Sequence, residues 1–139
     1  MKKSKNKNEE EVEVEVVDPR APYLNNAIDW VKKKGYINIK APMEGYDAPK
    51  PFFQRSKNTQ IIPDITATNM QGNKHYIQIA LKADPVQQVV TTWKFFSQLA
   101  LMKQGKLYLL APKGHKAFTD KTIDRYNINA TVISLKAKK

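Results

Sequence analysis

Residues 60–82, QIIPDITATNMQGNKHYIQIALK, decide the fold. Gln60 to Thr68 is rich in β-branched residues and reads as a strand. Pro63 inside it marks an edge or a bend, because proline has no N–H to give to a ladder. Residues 69–74, NMQGNK, are turn chemistry. His75 to Lys82 then alternates, with Ile77, Ile79 and Leu81 pointing one way and Tyr76, Gln78, Ala80 and Lys82 the other, which is the two-residue period of a strand.

Downstream, Asp84-Pro85 predicts an N-cap followed by proline at the first helical position. The helix runs to about Gln104 and stops at Gly105. Val86, Val89, Trp93, Phe96 and Ala100 form its main stripe, widened by Val90, Phe95, Leu99 and Met102, so it is a well-covered helix. Leu107 to Ala111 is a continuous apolar run, the pattern of a strand buried on both faces. Lys116 to Tyr126 is a shorter helix, and Thr131 to Leu135 a last strand. Upstream, Leu24, Ala27, Ile28 and Val31 make one apolar stripe of a helix that begins near Pro19 to Pro22. Lys32, Lys33 and Lys34 suit its last turn, and Gly35 its left-handed stop. Tyr36 to Lys40 alternates as a short strand with Ile37 and Ile39 inward, residues 41–51 are a proline-bearing loop, and Phe52 and Phe53 open the next strand or its approach. The order αβββαβαβ predicts an α/β domain over residues 19–139, with a mixed central sheet flanked by helices. Residues 1–18 read as a disordered charged arm, in which EVEVEVV is the one stretch with strand alternation.

The chain has 139 residues, 41% of them hydrophobic, which fits one domain with a real core. It has no cysteine, which excludes disulfide scaffolds, thiolate zinc sites and cysteine nucleophiles, and suits a reducing compartment. No apolar run reaches the roughly 18 residues of a membrane span, and the lysine-rich start lacks the apolar stretch of a signal peptide. The formal net charge is +11. Residues 1–20 carry five basic and six acidic residues, so residues 21–139 hold 19 against seven, a net +12. That excess favours a polyanion, nucleic acid first and an anionic membrane second, against the plain alternative of a lysine-solubilised surface. Asp29, Glu44, Asp47, Asp64, Asp84, Asp120 and Asp124 are the acids available to any metal or acid–base chemistry after residue 20.

Phosphate-loop, dinucleotide, HExxH and GxSxG motifs are absent. His75 and His115 lack ligand spacing and read as ordinary surface or strand-end residues. One constellation stands apart: Pro63-Asp64 in one strand, and Ala80-Leu81-Lys82 closing the next strand before a long helix. It resembles the PD-(D/E)XK nuclease-like, or restriction-endonuclease-like, superfamily over about residues 20–135, and within it the small virus-type replication-repair nucleases and Holliday junction resolvases. The resemblance implies an αβββαβ core, here with an additional αβ. It also implies an Asp, a Glu and a Lys aligned on adjacent strands. Asp64 takes the first position and would be the metal ligand, and Lys82 takes the lysine. Ala80 stands where the family has its second carboxylate, and a methyl cannot ligate a metal.

The chemistry has its own logic. Phosphodiester hydrolysis uses a divalent cation to hold the phosphate and generate hydroxide, and a magnesium ion asks for carboxylate oxygens. Glu44, Asp47 and Asp84 are the candidate replacements for the missing acid. In the first helix, Asn25 and Asn26 occupy the region of another family acid, with Asp29 as a candidate. Gln87 and Gln88 lie where related nucleases keep a supporting glutamine, or are simply solvated. Trp30 and Trp93 read as core, whereas Phe52, Phe53 and Arg55 form an aromatic-basic cluster that could contact bases. Lys40, Arg55, Lys57, Lys82, Lys113 and Lys116 flank the strand ends as candidate phosphate contacts.

Three functional readings follow. The first is DNA binding (duplex, junction or single strand) by a catalytically degenerate nuclease-like domain without a cofactor. The second is a magnesium-dependent deoxyribonuclease with a relocated acid. The third is a structural or assembly protein, of phage type, that reuses the fold. A homodimer fits any of them, no membrane partner is expected, and the location is cytoplasmic, or in the virion for a phage protein.

Overall fold

The computed structural model describes residues 18–55 and 58–136. Most of the charged arm of residues 1–18, and Lys57, lie outside these described residues. A single 3-10 turn, Ala21–Tyr23, leads into α1, Leu24–Lys33. Then come β1 (Ile37–Lys40), β2 (Phe52–Gln54), β3 (Thr59–Ile61), β4 (Ile65–Thr68) and β5 (Lys74–Ile79). The chain finishes with α2 (Val86–Met102), β6 (Leu107–Pro112), α3 (Lys116–Arg125) and β7 (Thr131–Leu135).

The main sheet is mixed and has five strands in the order β1-β4-β5-β6-β7. β4 pairs antiparallel with both β1 and β5, while β6 and β7 are added in parallel through α2 and α3. Alternation along β5 divides the core. Ile77 and Ile79 join Leu24, Ala27, Ile28 and Val31 on the α1 side. Tyr76 and Ala80 join Val90, Trp93, Phe96 and Ala100 on the α2 side. All of β6 is buried, as its unbroken apolar run requires.

Several sequence expectations change. Gln60 to Thr68 is two strands in two sheets. β3 pairs with β2 as a separate hairpin, and the ladder with β5 begins only at Ile65. Pro63, with no N–H, marks the break. Phe52 is not part of an exposed cluster, because its ring meets Phe95 at 5.6 Å and Tyr76 and Phe96 at 6.4 Å. Ile37 is exposed, since a register irregularity in β1, with Asn38 at a φ of 51°, disturbs the alternation there. Asp84 makes no side-chain cap, and Pro85 in extended conformation holds the N-cap position instead. Trp93 is buried and Trp30 packs against the α1-side core, as expected.

α2 ends at Met102 and the left-handed residue that follows it is Gln104, at a φ of 60°, not Gly105, which is required for a steric reason instead. A Cβ there would run into the carbonyl of Lys74, where the chain turns to start β6 beside β5. The β4–β5 turn is held by Asn69, whose Oδ1 accepts the N–H groups of Gln71 and Asn73, with Gly72 at a φ of 89°. This turn fixes the register. Thr68 faces Lys74 and Ile65 faces Ile77, which brings Asp64 alongside Gln78.

Candidate functional site

Asp64 stands where β4 has not yet begun to pair. The odd-numbered N–H groups of β5 face β4, and Pro63 and Asp64 leave that ladder short by one acceptor. The Asp64 carboxylate supplies it: Ile79 donates its N–H to Oδ2 at 2.8 Å. In return, the Asp64 N–H donates to Oε1 of Gln78 at 2.7 Å. Arg20, just ahead of the 3-10 turn, places its Nε 3.2 Å from Oδ2 and 3.1 Å from Oδ1. The carboxyl is buried, and burial raises it to about 6 against the opposing pull of Arg20 and the Ile79 N–H.

This geometry revises the expected triad. The residue across from Asp64 is Gln78, so an amide lies where a second carboxylate would be needed. Ala80 lies two residues further on, just past the end of β5, fully buried in the α2-side core with Trp93 and Val90. Beyond β5, Lys82 donates its backbone N–H to Nδ1 of His115 at 2.9 Å, because the chain has turned toward the β6–α3 connection. Lys82 nevertheless lines the same cavity as Arg20 and Gln78. That cavity, of about 280 Å³, is lined also by Gln88, Thr92 and Trp93.

None of the candidate replacement acids lines this cavity. Glu44 and Asp84 are exposed, and Asp47 borders a different groove. Asn25, Asn26 and Asp29 also lie elsewhere, Asn26 donating from Nδ2 to the carbonyl of Lys136 at 3.1 Å. Among the described residues no group of three or more His, Asp or Glu side chains could hold a metal ion. The residues at Asp64 do not fit a magnesium ion, which would have to displace the Arg20 guanidinium and would meet the Gln78 amide where a second carboxylate is wanted.

Gln88 joins the cavity, but Gln87 points its Nε2 toward the hydroxyl of Tyr126 at 3.5 Å. Lys113 sits in a separate depression with Pro22 and Asn25, and Lys116 pairs with Asp120 at 2.8 Å. Arg55 and Phe53 are exposed on the hairpin. Both histidines are committed to structure. Nδ1 of buried His75 accepts the Lys106 N–H at 3.0 Å, its Nε2 meets the Asn69 amide at 3.2 Å, and its ring stacks on Tyr36 at 4.7 Å.

Lys40 belongs to a second feature on the α2-facing side of the sheet. Lys40 pairs with Thr66, and Thr66 with Tyr76; in the next row Thr68 pairs with Lys74. Lys40, Thr66, Thr68 and Lys74 line a groove of about 320 Å³ with Asn38 and Asp47. Lys50 and Lys103 stand close enough that, after burial, repulsion from Lys40, Lys103 and Lys50 lowers the Lys74 ammonium below its ordinary value. Lys74 also lies 5.4 Å from the centre of the Tyr76 ring. Lys50, Lys74, Lys103, Arg20 and Gln78 escaped the sequence reading. Counting back from a Thr68–Lys74 turn pair would have exposed Gln78; nothing local marks the lysines, which come from three separate segments.

No family model, curated protein or solved structure matches this chain.

Proposed function

We propose that this domain binds nucleic acid through its phosphate backbone and does not cleave it. The observation that carries the reading is the lysine-lined groove over β1, β4 and the start of β5. Lys40 and Lys74 line it beside a single acid, Asp47, and Lys40, Lys103 and Lys50 each repel the Lys74 ammonium. Like charges held together on a folded surface cost stability, and a polyanion relieves that cost. Threonine hydroxyls and the Asn38 amide in the groove add neutral donors to phosphate oxygens. The mixed sheet, with three antiparallel strands followed by a parallel strand through α2, is compatible with the αβββαβ core of the nuclease-like superfamily. The pairing of Asp64 with Arg20 and Gln78 supports loss of its metal chemistry.

The test has two parts. Fluorescence anisotropy with labelled duplex, junction and single-stranded DNA at about 50 mM salt should give binding that depends little on sequence and falls steeply with added salt. Absence of binding to all three removes the reading. A nicking assay on supercoiled plasmid with magnesium or manganese should show no cleavage. Cleavage by the parent that disappears in Asp64→Ala would establish the nuclease reading instead.

A further inference from the structure

The cavity beside Asp64 has the wrong sign for a metal and the right sign for an anion. We infer that it binds a phosphoryl group directly, with Lys82, Arg20 and the side-chain amides of Gln78 and Gln88 as donors and no cation between them. No carboxylate lines it, and its polar side chains are Arg20, Gln78, Lys82, Gln88 and Thr92, with Trp93 as part of its apolar wall. Arg20 spends its Nε on Asp64, whose charge balances its own. Lys82 makes no ion pair among the described residues, so it supplies the charge that an anion would meet.

Gln78 supplies the second observation. It is only 3% exposed. The Asp64 N–H fixes which way its amide lies, because an N–H can only be met by the oxygen. That leaves the NH2 as the group turned elsewhere, and it has no partner among the described residues. The wholly enclosed unpartnered side-chain atom among these residues is Tyr76 Oη, so the Gln78 NH2 reaches open space, and the space beside it is this cavity. An amide NH2 that opens onto a cavity offers its hydrogens to a phosphoryl oxygen placed there. The volume of about 280 Å³ is at the small end for ligand sites and holds a phosphoryl group with room to spare.

The inference leans on the nucleic-acid reading only for the source of the phosphate, and the experiment separates the two. The 15N-labelled full chain is titrated at constant ionic strength with inorganic phosphate against chloride, and separately with a short thymidine oligonucleotide that carries no terminal phosphate. Saturable shifts of the Gln78 and Gln88 side-chain amides and the Lys82 backbone amide are expected. Inorganic phosphate alone giving them points to a free or terminal phosphate, and the oligonucleotide giving them points to an internal diester. Lys82→Ala, at an exposed position, should weaken the affinity about tenfold while Lys121→Ala, on the exposed face of α3, leaves it unchanged. Silence of the cavity toward both probes, or undiminished affinity in a folded Lys82→Ala, overturns the inference. Oligonucleotide shifts confined to Lys40 and Lys74, with the cavity silent toward inorganic phosphate as well, would do so while sparing the nucleic-acid reading. Phosphate in the cavity with no oligonucleotide or duplex bound would sink that reading and leave the inference standing.

Discussion

Asp64 was legible as a residue apart, but its neighbours were not. A proline and an aspartate in a β-rich run mark a place where a carboxylate enters a sheet, and that much follows from local chemistry. The neighbours depend on register, and one error of two residues exchanges Gln78 for Ala80. Two predictions belong to this scale. First, the folded carboxyl titrates near 6 against an ordinary 3.8, because burial outweighs Arg20. A raised value means that the folded state holds the proton more tightly. The stability contributed by Asp64 is therefore complete below about pH 4 and lost as pH rises through 6. The parent should lose roughly 3 kcal/mol relative to Asp64→Asn across that window, read from urea unfolding at each pH. A constant difference between the two proteins would show that Asp64 is not buried as described. Second, Gln78→Glu places a second carboxylate beside the first and should make the melting temperature rise by a few degrees with manganese. Ala80→Glu should be destabilised by several kcal/mol with or without metal, since it puts a charge into the core around Trp93. The opposite pattern, metal response in Ala80→Glu and none in Gln78→Glu, would restore the original alignment.

Elements with strong periodicity were readable, and those defined by pairing were not. The stripes of α1 and α2, the apolar run of β6 and the bounds of β7 follow from the order of residues alone. The β2–β3 hairpin did not, because a strand that leaves one sheet for another keeps the same β-rich composition on both sides of Pro63. Phe52 and Phe53 show the consequence. They are adjacent and chemically identical, yet Phe52 packs on Phe95, Phe96 and Tyr76 while Phe53 is 59% exposed. Phe52→Ala should cost about 2–3 kcal/mol in chemical denaturation, and Phe53→Ala less than about 0.5 kcal/mol. Equal losses would mean that the hairpin does not lie against α2. At the end of α2, Gly105→Ala should cost about 1–3 kcal/mol, because the Lys74 carbonyl cannot retreat without disturbing the β5–β6 ladder.

At the scale of the molecule, composition announced a charge and could not say where it acts. The candidate cations fall into separate places once the chain folds. Lys82 is at the Asp64 cavity, Lys113 and Lys116 stand beside α3 and the start of α1, and Lys40 is with Lys50, Lys74 and Lys103 around the groove. Tyr76 lies between Lys74 and Gln78 on the α2-facing side of β5, so groove and cavity share one face, about 13 Å apart along the strand. A lysine that only keeps a protein soluble gains nothing from standing among other lysines, whereas one that meets a phosphate does. This difference can be measured. In duplex binding each phosphate neutralised contributes about 0.9 to the slope of log affinity against log salt. Replacing Lys40 and Lys74 together by glutamine should therefore flatten the slope by about 1.8, and Lys121→Gln, on the exposed face of α3, should leave it unchanged. The double variant should also melt no lower than the parent, because it removes repulsion rather than a bond. Weaker binding with undiminished stability is the signature of a surface kept for its partner. An unchanged slope, or the same flattening in Lys121→Gln, would mean that the charge is spread over the surface and the groove has no special part in binding.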